Sequence, residues 1–167
     1  MNAQLLDPET ALSRGWCLMD INRPMEAAKA FEAALASPNR KTREDAAYGQ
    51  SLAYLRAGLS NNAAVAATKA PQTQQRAAEL QVAILADRAV AAFGAKRYRE
   101  TLIYLDQRAQ LRQEPIDLMV LRGYAYLSMS MYGDAERIFT AAAATGNKDA
   151  NRGLADLKAA THPDTND

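Results

Sequence analysis

Two residue types that carry much of protein chemistry are almost missing: the 167-residue chain has one cysteine, Cys17, and one histidine, His162. An internal disulfide is impossible. A zinc site of the usual kind, which needs three or four Cys or His ligands, cannot be assembled from two. Neither sign of charge dominates, because twenty Lys and Arg face nineteen Asp and Glu for a formal charge of +1. Binding to nucleic acid through phosphate neutralisation calls for a basic excess, so no nucleic-acid partner is expected. No run approaches the ~18 apolar residues of a membrane-spanning helix. The eight glycines never fall on the GxGxxG or GxxxxGK spacing that cradles phosphate. Valine, isoleucine and threonine are sparse and scattered while alanine is abundant, a balance that favours helix over strand.

What is present is a period. Four segments place a small residue, then a second residue four positions on, usually larger and apolar, then a third residue after three more: Ala27, Phe31, Ala34; Ala63, Ala67, Ala70; Thr101, Leu105, Arg108; and Ala135, Phe139, Ala142. Their first members are separated by 36, 38 and 34 residues, a period of 34 with additions of two and four. An upstream landmark keeps step, since Gly15, Leu18 and Asn22 precede Ala27 at the distances at which Gly123, Tyr126 and Ser130 precede Ala135. Tyr54 and Gly58 fill two of those places before Ala63.

This spacing resembles the tetratricopeptide repeat (TPR) family, most closely in the fourth unit, through Met119, Gly123, Tyr126, Ala135, Phe139 and Ala142, with Tyr132 opening the second helix of that unit. Arg122 stands where the family has leucine and Ser130 where it has the turn glycine. The resemblance implies an all-α fold: a right-handed α-solenoid of four helix-turn-helix repeats at 8–41, 44–77, 82–115 and 116–149. A capping helix over 148–160 and a disordered tail over 161–167 complete a single domain. The physics agrees with the family pattern. Small residues let antiparallel helices approach, and Phe31 or Phe139 fills the space beside the crossing. Asp7-Pro8-Glu9 reads as a helix start, and Pro38, Pro71 and Pro115 punctuate the joints between units. The four added residues, 78–81, fall inside Gln74–Phe93, a stretch without Gly or Pro, and predict one extra helical turn.

Single residues suggest little chemistry. His162 lies in the tail, Cys17 reads as a packed thiol of the first helix, and Glu44 and Asp45 read as first-turn acids after Thr42 that complement the helix dipole. The basic runs Arg40, Lys41, Arg43 and Lys96, Arg97, Arg99 fall between predicted helices and read as solvated turns. No nucleophile, base and orienting group share a recognisable spacing, so neither an enzyme nor a cofactor is expected. The resemblance instead directs attention to the first helix of each unit, which lines the inside of a solenoid. Leu12, Trp16, Met19, Tyr48, Leu52, Arg56 and Tyr124 occupy inward offsets and are the candidate partner-binding residues. The Lys, Asn and Arg clamp with which some members hold a chaperone's C-terminal carboxylate is absent from these offsets. An extended or helical peptide with apolar anchors and basic flanks fits them better.

The expected function is a non-enzymatic protein–protein interaction scaffold. The alternative is a structural spacer or self-association segment of a larger protein. Tyr98–Arg108 followed by Leu121–Leu127 also looks like repeats of bacterial envelope proteins, among them the periplasmic arrays of cellulose and other exopolysaccharide exporters. That likeness implies a periplasmic setting as part of a longer chain, against a cytoplasmic one. The opening residues carry no basic leader or apolar stretch of signal-peptide length.

Overall fold

The computed structural model describes residues 6–163, and among these the chain is all-helical. The described residues form nine helices: α1 (Pro8–Asp20), α2 (Pro24–Ala34), α3 (Arg40–Arg56), α4 (Ser60–Ala67), α5 (Gln74–Gly94), α6 (Tyr98–Ala109), α7 (Ile116–Ser128), α8 (Tyr132–Ala143) and α9 (Lys148–Thr161). The chain divides into two compact units between Asp87 and Arg88, inside α5. At 21 residues α5 is the longest helix, as the inserted turn predicts.

The period reappears in the backbone. The turns α1–α2, α3–α4, α5–α6 and α7–α8 each contain one residue at positive φ: Asn22 (56°), Gly58 (73°), Lys96 (59°) and Ser130 (59°). The next residue in every case donates its N–H to the carbonyl five positions back: Arg23 to Leu18 (2.8 Å), Leu59 to Tyr54 (2.9 Å), Arg97 to Ala92 (2.8 Å) and Met131 to Tyr126 (2.9 Å). This left-handed C-terminal cap satisfies the last carbonyls of one helix and aims the chain back along it. Only one of the four positions is glycine, so the other three accept a modest conformational cost. The helices that follow these turns start without a side-chain cap, whereas α1, α3 and α9 are capped by Asp7, Asn39 and Asn147.

Each unit has its own core. In the first, α2 packs against α1 and α3, burying Leu18, Met19, Ala27, Ala28, Phe31 and Ala53. In the second, α8 packs against α7 and α9, with Ala135, Phe139 and Leu157 at the centre. The same device organises both. A Cβ on Gly15 of α1 or Gly49 of α3 would lie 2.6 or 2.5 Å from the Phe31 ring, and one on Gly123 of α7 or Gly153 of α9 would lie 2.5 or 2.3 Å from that of Phe139. Each phenyl ring is thus held between two glycine-bearing helices. Ala27, Phe31, Ala63, Ala135 and Phe139 are all fully buried, as the crossing pattern requires.

Buried polar side chains tie the layers together. Ser51 Oγ donates to the Ala63 carbonyl (2.8 Å), and Gln50 Nε2 donates to Ala28 O (3.0 Å) and Glu32 (2.7 Å). Lys69 Nζ, just beyond α4, bonds both Glu32 (2.6 Å) and Gln50 (2.8 Å). These contacts hold the Glu32 carboxyl below its ordinary pKa, Lys69 contributing most. In the second unit, Arg122 is 7% exposed and binds Glu114 through Nε and Nη2 (3.0 Å each) and Asp106 through Nη1 (2.6 Å). An arginine at the leucine place thereby locks the α6–α7 joint.

Several local expectations are corrected. Asn39 Oδ1 accepts from Lys41 N–H (2.9 Å), so α3 begins at Arg40, two residues before Thr42. Glu44 and Asp45 therefore miss the first turn. Arg40, Lys41 and Arg43 occupy it instead, and the two arginines are held locally. Arg40 pairs with Glu44 (2.7 Å), and Arg43 bonds the carbonyls of Ser37 (2.8 Å) and Pro38 (2.9 Å). Cys17 is exposed, because α2 and α3 cover other sides of α1. Thr161, expected in the tail, closes α9, where its Oγ1 donates to the Leu157 carbonyl (3.0 Å). His162 is the residue that ends that helix. The rest of the expected tail, 164–167, lies outside the described residues.

Candidate functional site

On α1, Leu12 and Trp16 are partly buried and pack against the core of the first unit, at the edge of the face that the other helices cover. Trp16 meets Phe31 edge to face, with ring centroids 5.0 Å apart, so the core phenyl ring fixes the indole from below. Tyr48 of α3 lies beside it, 6.4 Å away and tilted 46°. The guanidinium of Arg76, in the first turn of α5, stacks over the Tyr48 ring with its carbon 4.4 Å from the centroid. Asp45 also holds that guanidinium, Nη1 to Oδ1 2.6 Å. Leu52, one helical turn beyond Tyr48, completes the surface and is partly buried.

The result is a ladder across three helices of the first unit: indole, phenol, guanidinium and carboxylate. Tyr48 Oη donates to Glu79 (3.4 Å). Burial first, and the Glu79 charge second, raise the phenol's pKa. The Glu79 carboxylate also accepts from Gln75 (3.3 Å). Asp45 is matched by Arg76, and among the described residues Glu79 forms no ion pair. Chemically the face offers flat apolar area with polar edges, suited to recognition.

The seven sequence-predicted residues divide. Leu12, Trp16, Tyr48 and Leu52 come together. Met19 does not: it is 5% exposed within the Leu18–Ala27–Phe31 core, because three residues beyond Trp16 the helix has rotated toward α2. Arg56 is exposed and its Nη1 donates to the Met19 carbonyl (2.6 Å), so it helps close the end of α1. Tyr124 belongs to the second unit, where it repeats the Trp16 geometry against Phe139, edge to face at 5.0 Å. Its hydroxyl donates to Asp156 (2.7 Å), and burial together with that bond pushes its pKa up to about 12. Sequence reasoning missed Arg76. The signal was available only in part, as an arginine one turn before Glu79 at the start of a predicted helix.

Two open apolar grooves lie elsewhere. One, of about 510 Å³, runs between α4 and α5 over Ala64, Ala67, Leu80 and Ile84. The other, of about 480 Å³, runs between α8 and α9 over Tyr132, Gly133, Leu154 and Leu157. Among the described residues no three His, Cys, Asp or Glu side chains come together as a metal site, and no helix is long and apolar enough to cross a membrane. No family model matches the chain, and neither a curated protein nor a solved structure matches it.

Proposed function

We propose that the chain is a non-enzymatic interaction scaffold. On this reading four TPR-like hairpins closed by α9 form a right-handed solenoid, and the Trp16–Tyr48 face of the first unit receives a peptide or helix of a protein partner. The single observation that carries the reading is the ladder itself. An indole and a phenol, braced from beneath by Phe31 and from the side by Arg76 and Asp45, keep part of their surface in water. Braced aromatic side chains lose little rotamer freedom on binding, which is why such residues dominate interface energetics. The four turns with one geometry support the repeat architecture, since a repeat that cannot cover its own apolar face must be stacked. The partner's anchor is an aromatic or branched aliphatic side chain laid on Trp16 and Tyr48, with a Lys or Arg beside it to reach Glu79. In the setting implied by the likeness to envelope proteins, the partner would be another component of a polysaccharide export assembly.

Trp16 is the only tryptophan and lies on this face, so its emission reports occupancy directly. Peptides with one apolar anchor and a flanking base are titrated against the chain, with acid-flanked peptides as controls. Tyr48→Ala is expected to weaken a binding peptide by roughly 10-fold or more, corresponding to about 1 to 3 kcal/mol. Arg40→Ala and Arg97→Ala should leave affinity nearly unchanged. Equal affinity of Tyr48→Ala and the parent, alongside a large loss for the two arginine variants, would move the binding surface away from this face.

A further inference from the structure

The second unit buries two arginines, Arg108 near the end of α6 and Arg122 in α7, each 7% exposed. Arg122 is matched: its Nε and Nη2 close on Glu114 at 3.0 Å each, and its Nη1 meets Asp106 at 2.6 Å. Arg108 is not. It stands where the repeat places Ala34 and Ala142, both fully buried, so a charge occupies a position that packing elsewhere fills with a methyl group. Its one hydrogen bond runs from Nη1 to the Gln113 carbonyl at 3.3 Å, long for a charged donor. Its Nε is buried and donates to nothing, and among the described residues Arg108 forms no ion pair. Burying a guanidinium without a counter-ion is costly, and native proteins satisfy such groups with water or an ion.

The geometry of the group favours one kind of ion. Nε and Nη2 form the side-on edge of a guanidinium, two parallel N–H groups spaced for the two oxygens of a carboxylate. Arg122 takes Glu114 with that edge. On Arg108 the same edge has no partner among the described residues, and Nη2 is its atom that meets water. Because the Nη1 bond is weak, the group can turn outward by the little needed to bring Nε to the surface. Arg112 follows in the loop, where its N–H bonds the Arg108 carbonyl (3.1 Å); it is exposed and forms no ion pair, so it adds positive charge beside Arg108.

We propose that Arg108 is the centre of a carboxylate-binding site, where a small organic acid sits side-on against Nε and Nη2 as Glu114 sits against Arg122. The site lies in the second unit, uses neither Trp16 nor Tyr48 and stands apart from the scaffold reading.

The test follows arginine Nε–H signals of the full, nitrogen-15-labelled chain by NMR while sodium acetate replaces sodium chloride at constant ionic strength. The Arg108 signal is identified by its loss in Arg108→Lys. It should shift with acetate and saturate in the millimolar range, as two charge-assisted hydrogen bonds in a partly dry site allow. The Arg122 signal, already committed to Glu114, should stay where it is. The urea midpoint of the parent should rise with acetate by mass action. Arg108→Lys keeps the charge without the fork, and Arg108→Met removes both; neither midpoint should respond, with helicity confirmed by circular dichroism. An Arg108 signal that is stationary, or still moving without saturation at roughly 100 mM acetate, overturns the proposal. So does a midpoint gain retained in Arg108→Lys. Inorganic phosphate is the second probe, and a response to phosphate with none to acetate also overturns the carboxylate assignment.

Discussion

Replacing Gly15 or Gly49 by alanine pits two effects of opposite sign against each other in a helix interior. Propensity alone favours alanine by about 0.8 to 1 kcal/mol. Packing opposes it, because the new Cβ would stand 2.6 Å (Gly15) or 2.5 Å (Gly49) from Phe31 Cε1, where carbon atoms normally rest at about 3.5 to 4 Å. The missing ångström has nowhere to go. Phe31 is fully buried, and both glycines close on the same ring atoms, Cδ1, Cε1 and Cζ. Either the helices part or the ring leaves its rotamer, and overpacking of that kind costs about 1 to 3 kcal/mol. Each variant should therefore be less stable by up to about 2 kcal/mol after the propensity gain is subtracted. The assay is urea unfolding followed by Trp16 emission, since the indole touches the ring in question. Gly133→Ala, in open space, is the control and should be neutral or slightly stabilising by circular dichroism. Shrinking the ring in the Gly15→Ala background, with Phe31→Leu, should recover part of the loss. If Gly15→Ala and Gly49→Ala stabilise as the control does, the glycines are not there to admit the ring, and the packing argument is wrong.

Glu114→Ala should cost about 1.5 to 3 kcal/mol in urea unfolding, since it removes one of the two carboxylates on a guanidinium that is 7% exposed and leaves Asp106 as its partner; Arg122→Leu combined with Glu114→Met should be close to neutral. Ala135→Leu should destabilise by about 1 to 3 kcal/mol, because Ala135 is fully buried where α8 crosses its neighbours; a smaller loss would mean that the crossing is loose. Tyr124 has a folded pKa raised from 10.0 to about 12, so its stabilisation is complete below pH 10 and disappears as the pH climbs through about 12. Absorbance titration should show a phenol ionising near pH 12 that is lost in Tyr124→Phe; a titration left unchanged by Tyr124→Phe in that range would refute this.

The parts of the fold that were legible in sequence are those controlled by volume. Ala27, Ala63 and Ala135 announce themselves because a close crossing admits little larger, and the period they mark, 36, 38 and 34 residues, returns unchanged in the turns at 22, 58, 96 and 130. Where volume can be exchanged between helices, legibility falls. Ala67 stands at the place of Phe31 and Phe139, and the bulk comes instead from Leu80 and Ile84 of α5, a swap that no single position reveals. Gly49 follows Phe31 by 18 residues and Gly153 follows Phe139 by 14, so the second wall of each ring shifts by one helical turn and escapes a fixed offset. The candidate site was legible to the same extent and for the same reason. Leu12, Trp16, Tyr48 and Leu52 were named from the inward offsets of the resembled repeat, and the structure places them near one another. Met19 was misassigned because phase alone does not say how wide the free stripe is once two neighbours cover a helix. Arg76 was beyond reach, since its stacking on Tyr48 joins residues 28 apart on different helices, and its charge is decided by Asp45 on the same partner helix. A repeat pattern constrains what each position may bury. Whether an exposed aromatic is braced or free is settled by pairs of residues on different helices, and that bracing is what makes the Trp16–Tyr48 face, rather than any single residue on it, the surface to test.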